Sequence, residues 1–429
     1  MTMSMSLPQA LVLRQVQLLE GPGQTLHRTD VRLEQGQIVA WGEGCLDQGT
    51  PELEASGLLL APALVDPHSC LDDPQTGVAE TRASLERSAI AAGYGTVAVL
   101  PDSCQWRDSP ERLQALGPVS SGGFELLRWG SFSLAGDGQE LAPHGDQLAS
   151  GALGLADGAQ LPSLPLLERG LSLAEMDNAP VLLSPRDRRL AQEGFVREGV
   201  AALRAGWPMD PSTSESLPLR SLLALAERYP ARRLQLMNLS TAEAVNLLEA
   251  VAPDQRPPAT VCWWHLLVDS ASLDPIAEGW HVEPPLGSAM DRQRLKHGLR
   301  QGLISAVAVH HQALDPEEQL LPVDQRRPGV AGHRFVLPAL WQELVQTDGW
   351  SAEELWQVLC FGPASLLGLA PPQLSLGTDR WLLFDPQQVW SAQQDSYAPL
   401  AANQPLAKAT LKGQVLATGL NPQLWRRSP

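Results

Sequence analysis

L-L-L-A-P-A-L-V-D-P-H-S-C-L-D-D-P, Leu58 to Pro74, is followed after a helical stretch by G-Y-G-T-V-A-V-L-P-D-S, Gly93 to Ser103. Leu58 to Val65 is apolar apart from Pro62 and stops on Asp66-Pro67-His68-Ser69-Cys70, which reads as a buried strand with polar groups at its carboxyl end. From Glu80 to Ala92, Leu85, Ala89 and Ala92 fall at helical spacing, and Gly93 closes the helix. Thr96 to Leu100 is a second apolar strand, ending in Pro101-Asp102. The unit is β-α-β, with polar residues where parallel α/β folds place their chemistry.

Outward from this unit, strand and helix keep alternating, which favours a parallel sheet with right-handed crossovers. Candidate strands are Phe124–Trp129, Gly151–Ala156 ending on Asp157, Val181–Leu183 ending at Ser184, Arg233–Met237 ending at Asn238, Thr260–Trp264, and Ile304–Val309 ending on His310-His311. Candidate helices between them are Leu166–Met176, Leu219–Tyr229 and Arg292–Gly302, and Ser240-Thr241 reads as an N-cap. Eight such strands make a (β/α)8 TIM-like barrel with its active face at the carboxyl ends of the strands. Residues 10–60 instead alternate with period two between Gly and Pro corners, and the far end repeats the style at Arg380–Phe384 and Ala409–Leu416. The expected organisation is a small β-sandwich formed by the N- and C-terminal segments, 1–62 and 371–429, around a barrel at 63–370. Residues 387–408 read as a polar loop.

The chain has 429 residues, enough for a barrel and a smaller domain. Its 31 basic and 48 acidic side chains give a net charge of −17, which argues against nucleic-acid and anionic-membrane surfaces. No apolar run is long enough to span a membrane, and M-T-M-S-M-S-L-P-Q lacks a signal peptide's basic start, so a cytoplasmic location is expected. Five cysteines, scattered and without a C-x-x-C pair, argue against disulfides and a zinc ribbon.

V-D-P-H-S-C-L-D-D-P, with Glu80-Thr81 behind it and a strand ending L-P-D-S, resembles the opening of a dihydroorotase of the amidohydrolase superfamily. That family reads D-x-H-x-H-L-R-E-P here and then a strand ending P-N-T. The resemblance extends over nearly the whole chain and implies the same fold: an α/β barrel with a terminal β-sandwich. It also implies a metal site, but one with altered letters. His68 matches the first histidine, Cys70 replaces the second, Asp157 matches the bridging carboxylate, Ser184 and Asn238 replace histidines, and His310 replaces the final aspartate. Sorted by metal, His68, Cys70, Asp157 and His310 are types able to hold one zinc ion. Asp157 with Ser184 and Asn238 is a poor set for a second. At most one zinc is therefore expected, and no metal is the favoured expectation. His310 is the candidate proton carrier near neutral pH, a role incompatible with ligating a metal. His265 and His311 read as structural.

The resemblance implies that an arginine and two asparagines grip the substrate's carboxylate. Here those positions hold Asp72, Asp102 and, in H-V-E-P-P-L-G, Glu283. Three acceptors facing an anion would cost several kcal/mol. The leading expectation is therefore a non-catalytic dihydroorotase-like protein of the pyrimidine-biosynthesis family, acting in a homo- or hetero-oligomer. The family offers aspartate carbamoyltransferase as the partner of such inactive homologues. The alternatives are an active mononuclear-zinc cyclic amide hydrolase with a changed, cationic substrate, and a dihydroorotase using unusual ligands. Trp263-Trp264 reads as packing, and His333 and Arg334, in G-V-A-G-H-R-F-V-L, receive no role.

Overall fold

The computed structural model describes residues 6–45, 49–158, 160–273, 280–322 and 325–426. The apolar run that opens the decisive stretch is two strands in two different sheets. Leu59–Pro62 pairs antiparallel with Trp381–Ser391, whereas Leu64–Ser69 pairs parallel with Tyr94–Val99. The sequence expectation of one strand halting at Val65 is thus corrected, because the run is buried throughout and hydropathy alone cannot mark where it changes sheet. The joint is held from beneath: Trp356 Nε1 donates to the Pro62 carbonyl at 3.0 Å, and the Cys360 thiol donates to the Ala63 carbonyl at 3.3 Å.

The sandwich sheet has seven strands. Its order runs Thr410–Thr418, Trp381–Ser391, Leu59–Pro62, Ala10–Leu18, His27–Glu34, Gln37–Trp41, with Glu52–Glu54 alongside Ala10–Leu18. Strands from both ends of the chain therefore share one core, built on Leu13, Val16, Leu18, Val31, Ile38, Leu60 and Trp381, all of them buried. The strand beginning at Trp381 runs on through Ser391, so the first five residues of the expected polar loop are strand.

The eight barrel strands are Leu64–Ser69, Tyr94–Val99, Phe124–Arg128, Leu155–Asp157, Pro180–Leu183, Arg233–Leu236, Thr260–Cys262 and Ala306–Ala308. Neighbours pair in parallel, Gly130–Ser131 carrying the third strand to the fourth and a bridge between Leu236 and Ala259 joining the sixth to the seventh. The barrel closes where the His310 N–H donates to the His68 carbonyl at 3.1 Å and the Cys70 N–H to the His311 carbonyl at 2.7 Å. The seventh strand stops at Cys262, and Trp263-Trp264 opens a 3-10 turn instead of ending the strand.

The first barrel helix, Arg82–Ala91, starts on a capping box between Thr81 and Ser84. It ends at Gly93, whose φ of +94° suits glycine, and a Cβ there would meet Leu382 at 2.6 Å. Thr241 caps Ala242–Glu249 by accepting the Ala244 N–H, as its position in the sequence predicts. The expected helix Leu166–Met176 is Leu164–Ser172 followed by a separate 3-10 turn. No helix among the described residues is long and apolar enough to cross a membrane.

Candidate functional site

Strands one and eight place His68 and His310 side by side at the barrel mouth. Their Nδ1 atoms lie 3.1 Å apart and their rings meet edge to face. One imidazole must donate and the other accept, so the contact is a hydrogen bond between neutral rings. Burial holds His68 well below the ordinary imidazole value, and His310 beside it pushes the same way. Burial also takes His310 down to about 4, against the pull of Asp66 and Glu283. The expectation that His310 moves protons near neutral pH is corrected accordingly: its ring stays neutral there. The far nitrogen of His68, Nε2, lies 2.9 Å from Thr260 Oγ1, which also accepts the Asn238 N–H at 2.9 Å.

Asp66 fastens this seam. It accepts the Val309 N–H at 3.0 Å, the Ser69 hydroxyl and, also at 3.0 Å, the Nε2–H of His333. His333 thus acquires a role that the sequence had not revealed, since 267 positions separate it from its partner.

The other expected donors point elsewhere. The Cys70 thiol lines a cleft of about 240 Å³ with Asp72 and Asp315, and burial, reinforced by Asp102 and Asp72, drives it well above its usual range. Asp157 is sunk behind the mouth, where its carboxylate accepts the Ser131 and Ser133 hydroxyls and the Ser133 N–H. Burial nonetheless pushes it up to about 7. Asp102 is also pushed up by burial, to about 6, and its Oδ2 has no hydrogen-bond partner among the described residues. Ser184 and Asn238 are buried, and Asn238 accepts the Cys262 thiol at 3.0 Å.

Asp72 and Glu283 are not bare acceptors. Both Nη atoms of Arg327 lie 3.1 Å from Asp72 Oδ2. Arg186 donates from Nε to Glu283 at 2.8 Å and from Nη1 to Asp210 at 2.7 Å, and Arg188 stands 3.6 Å from Glu283. Asp102 feels both Arg188 and Arg107, which lower it. The picture of three unopposed carboxylates therefore gives way to one in which arginines pair with Asp72 and Glu283, while Asp102, the third of them, has no salt bridge among the described residues. S-P-R-D-R-R contains two of these arginines, but nothing local in it points to Asp210 or Glu283.

A metal ion is what the resemblance would place here, and the residues do not fit it. Among the described residues no three His, Cys, Asp or Glu side chains are gathered as they would be round an ion. His68 and His310 come together, while Cys70 faces the cleft and Asp157 is held by two serines. His265, Nε2 against the Pro284 carbonyl, and His311, beside Glu80 at 3.4 Å, are buried packing partners.

Comparison with known proteins gives a consistent answer. The chain is 32% identical over 400 residues to a probable dihydroorotase-like protein of Synechocystis sp., covering 85% of this chain and 89% of that one. It is 29% identical over 398 residues to a dihydroorotase-like protein of Pseudomonas aeruginosa (91% and 93%), and 27% over 397 residues to a dihydroorotase of Pelotomaculum thermopropionicum (92% and 93%). No family profile matches. Among solved structures, an L-hydantoinase (dihydropyrimidinase) of Arthrobacter aurescens superposes with a TM-score of 0.77 at 19% identity, covering 95% of this chain and 94% of that one. A D-hydantoinase superposes at 0.76 and 15%, covering 95% and 93%. At such identities the likeness is one of fold: a TIM barrel with a β-sandwich.

Proposed function

The chain belongs to the dihydroorotase-like proteins of the amidohydrolase superfamily, a family of cyclic amide hydrolases, and within it we propose a non-catalytic member. One observation carries the reading: His68 and His310 bond to each other, while Asp157 is held by Ser131 and Ser133 and Cys70 lines the cleft beside Asp72. Opening a cyclic amide requires an activated water and a group that passes its proton to the leaving nitrogen. His310, lowered to about 4, is a weak base for that task, and Ser184 and Asn238 are weak metal donors.

The test pairs zinc analysis, after expression in zinc-supplemented medium, with an assay of dihydroorotate hydrolysis by the purified chain. Neither stoichiometric zinc nor turnover is expected. The zinc-capable residue types kept at His68, Cys70, Asp157 and His310 favour the second reading, a mononuclear-zinc cyclic amide hydrolase. About one zinc per chain, lost in Cys70→Ala, together with turnover would establish that alternative and defeat the first.

For a non-catalytic barrel we propose a binding role in the cytoplasm, with aspartate carbamoyltransferase of pyrimidine biosynthesis as the partner. This rests on the family resemblance. Tagged protein recovered from its native cells without any carbamoyltransferase would overturn it.

A further inference from the structure

On the rim of the barrel, the loops after strands four and five and the helix Thr213–Arg228 enclose a cavity of about 350 Å³. Its charge runs against the chain's. In a protein of net charge −17, Arg186, Arg188 and Arg189 all line it, and Asp187 is the one carboxylate among its described lining residues. That carboxylate is already engaged, accepting the N–H groups of Arg189 at 2.8 Å and Leu190 at 3.3 Å. Arg186 is fixed by Glu283 and Asp210, Arg188 reaches Glu283 only at 3.6 Å, and the exposed Arg189 has no ion-pair partner among the described residues.

A second feature of the same wall points the same way. Helix Leu164–Ser172 begins at the cavity, where Ser163 and Leu164 line it. The Ser163 side chain makes no cap hydrogen bond and the first turn holds no acidic residue; Pro165 has no N–H to offer, so the open donors of this helix end are the N–H groups of Leu164 and Leu166. Guanidinium forks and an open helix N-terminus are both matched to tetrahedral oxyanions. Leu161, Leu217 and Pro218 supply an apolar wall beside them, and the volume suits a small metabolite.

We propose that this cavity binds a phosphomonoester. Its phosphoryl oxygens sit on Arg188, Arg189 and the N–H groups of Leu164 and Leu166, and its carbon skeleton lies against the apolar wall. The site borders the mouth through Arg186 and Arg188, which also face Glu283, but includes neither His68 nor His310, so phosphate binding is tested apart from turnover.

Calorimetric titration of the full chain with ribose 5-phosphate, glycerol 3-phosphate, inorganic phosphate and ribose tests this. At least one ester is expected to bind saturably and more tightly than inorganic phosphate, with ribose silent and affinity falling as salt rises. Arg189→Ala is expected to weaken the ester roughly tenfold. Ser163→Asp, which sets a carboxylate at the open helix end, is expected to weaken it at least as much while leaving thermal stability equal or higher. Failure of both esters to bind overturns the proposal. So does inorganic phosphate binding as tightly as the better ester, or affinity unchanged in both variants.

Discussion

Two seams of the barrel handle buried polarity in opposite ways. Between strands one and eight, His68 and His310 are stripped of charge by burial and satisfy each other as neutral rings. Between the loop after strand five and the start of the following helix, charge is kept. Arg197, 3% exposed, donates to Glu215 at 2.7 Å and lies 3.1 Å from Asp210, and Ser214 and Ser240 take further donors of the same guanidinium. Glu215 in turn accepts the N–H groups of Ser240 and Thr241, each at 3.1 Å. Buried ions persist where a counter-ion and several hydrogen bonds meet them, even with Arg197 Nε left without a partner among the described residues, and buried titratable groups without a counter-ion go neutral.

Breaking the charged seam should therefore cost most. Arg197→Ala strips Glu215 of its counter-ion and leaves Asp210 with Arg186 alone, and is expected to lower stability by about 3–5 kcal/mol in denaturant unfolding, whereas His310→Ala should cost far less. A loss from Arg197→Ala comparable to that from His310→Ala would erase the contrast. Asp102 comes next. Its carboxyl is raised from 3.8 to about 6, so folding favours the protonated form. That contribution is fully present below the unfolded value and is lost as pH rises through about 6. Asp102→Asn, which cannot ionise, should flatten the stability profile over that window by about 2–3 kcal/mol. An unchanged profile would show that Asp102 is hydrated. Thr260→Val, which takes a hydroxyl from both His68 Nε2 and the Asn238 N–H, should cost about 1–2 kcal/mol. Arg327→Ala, removing a half-exposed pair with Asp72, should change stability by less than about 1 kcal/mol.

The sequence is most legible where periodicity carries the information. Alternating strands and helices indicate the barrel, and Gly- and Pro-cornered period-two segments indicate the sandwich. Legibility fails at Leu58–Val65, because a run buried on both sides looks the same whether it crosses one sheet or two. It also fails at the mouth. The altered letters at Cys70, Ser184, Asn238 and His310 are plain, yet what those side chains touch is set by distant residues. Glu283 looks like an unopposed acceptor until Arg186, 97 positions away, is placed against it. Asn238 and His310 both have left-handed backbone, with φ of +56° and +45°, a property that their neighbours in sequence do not announce.

The strand order of the sandwich has a consequence for synthesis. Leu59–Pro62 is made early but takes its partner on one side from Trp381–Ser391. A ribosome that has delivered every barrel strand still leaves that flank of the nascent sheet open, a template for pairing with other chains, until the last segments emerge. Truncation before Trp381 is thus expected to yield insoluble protein rather than a free-standing barrel.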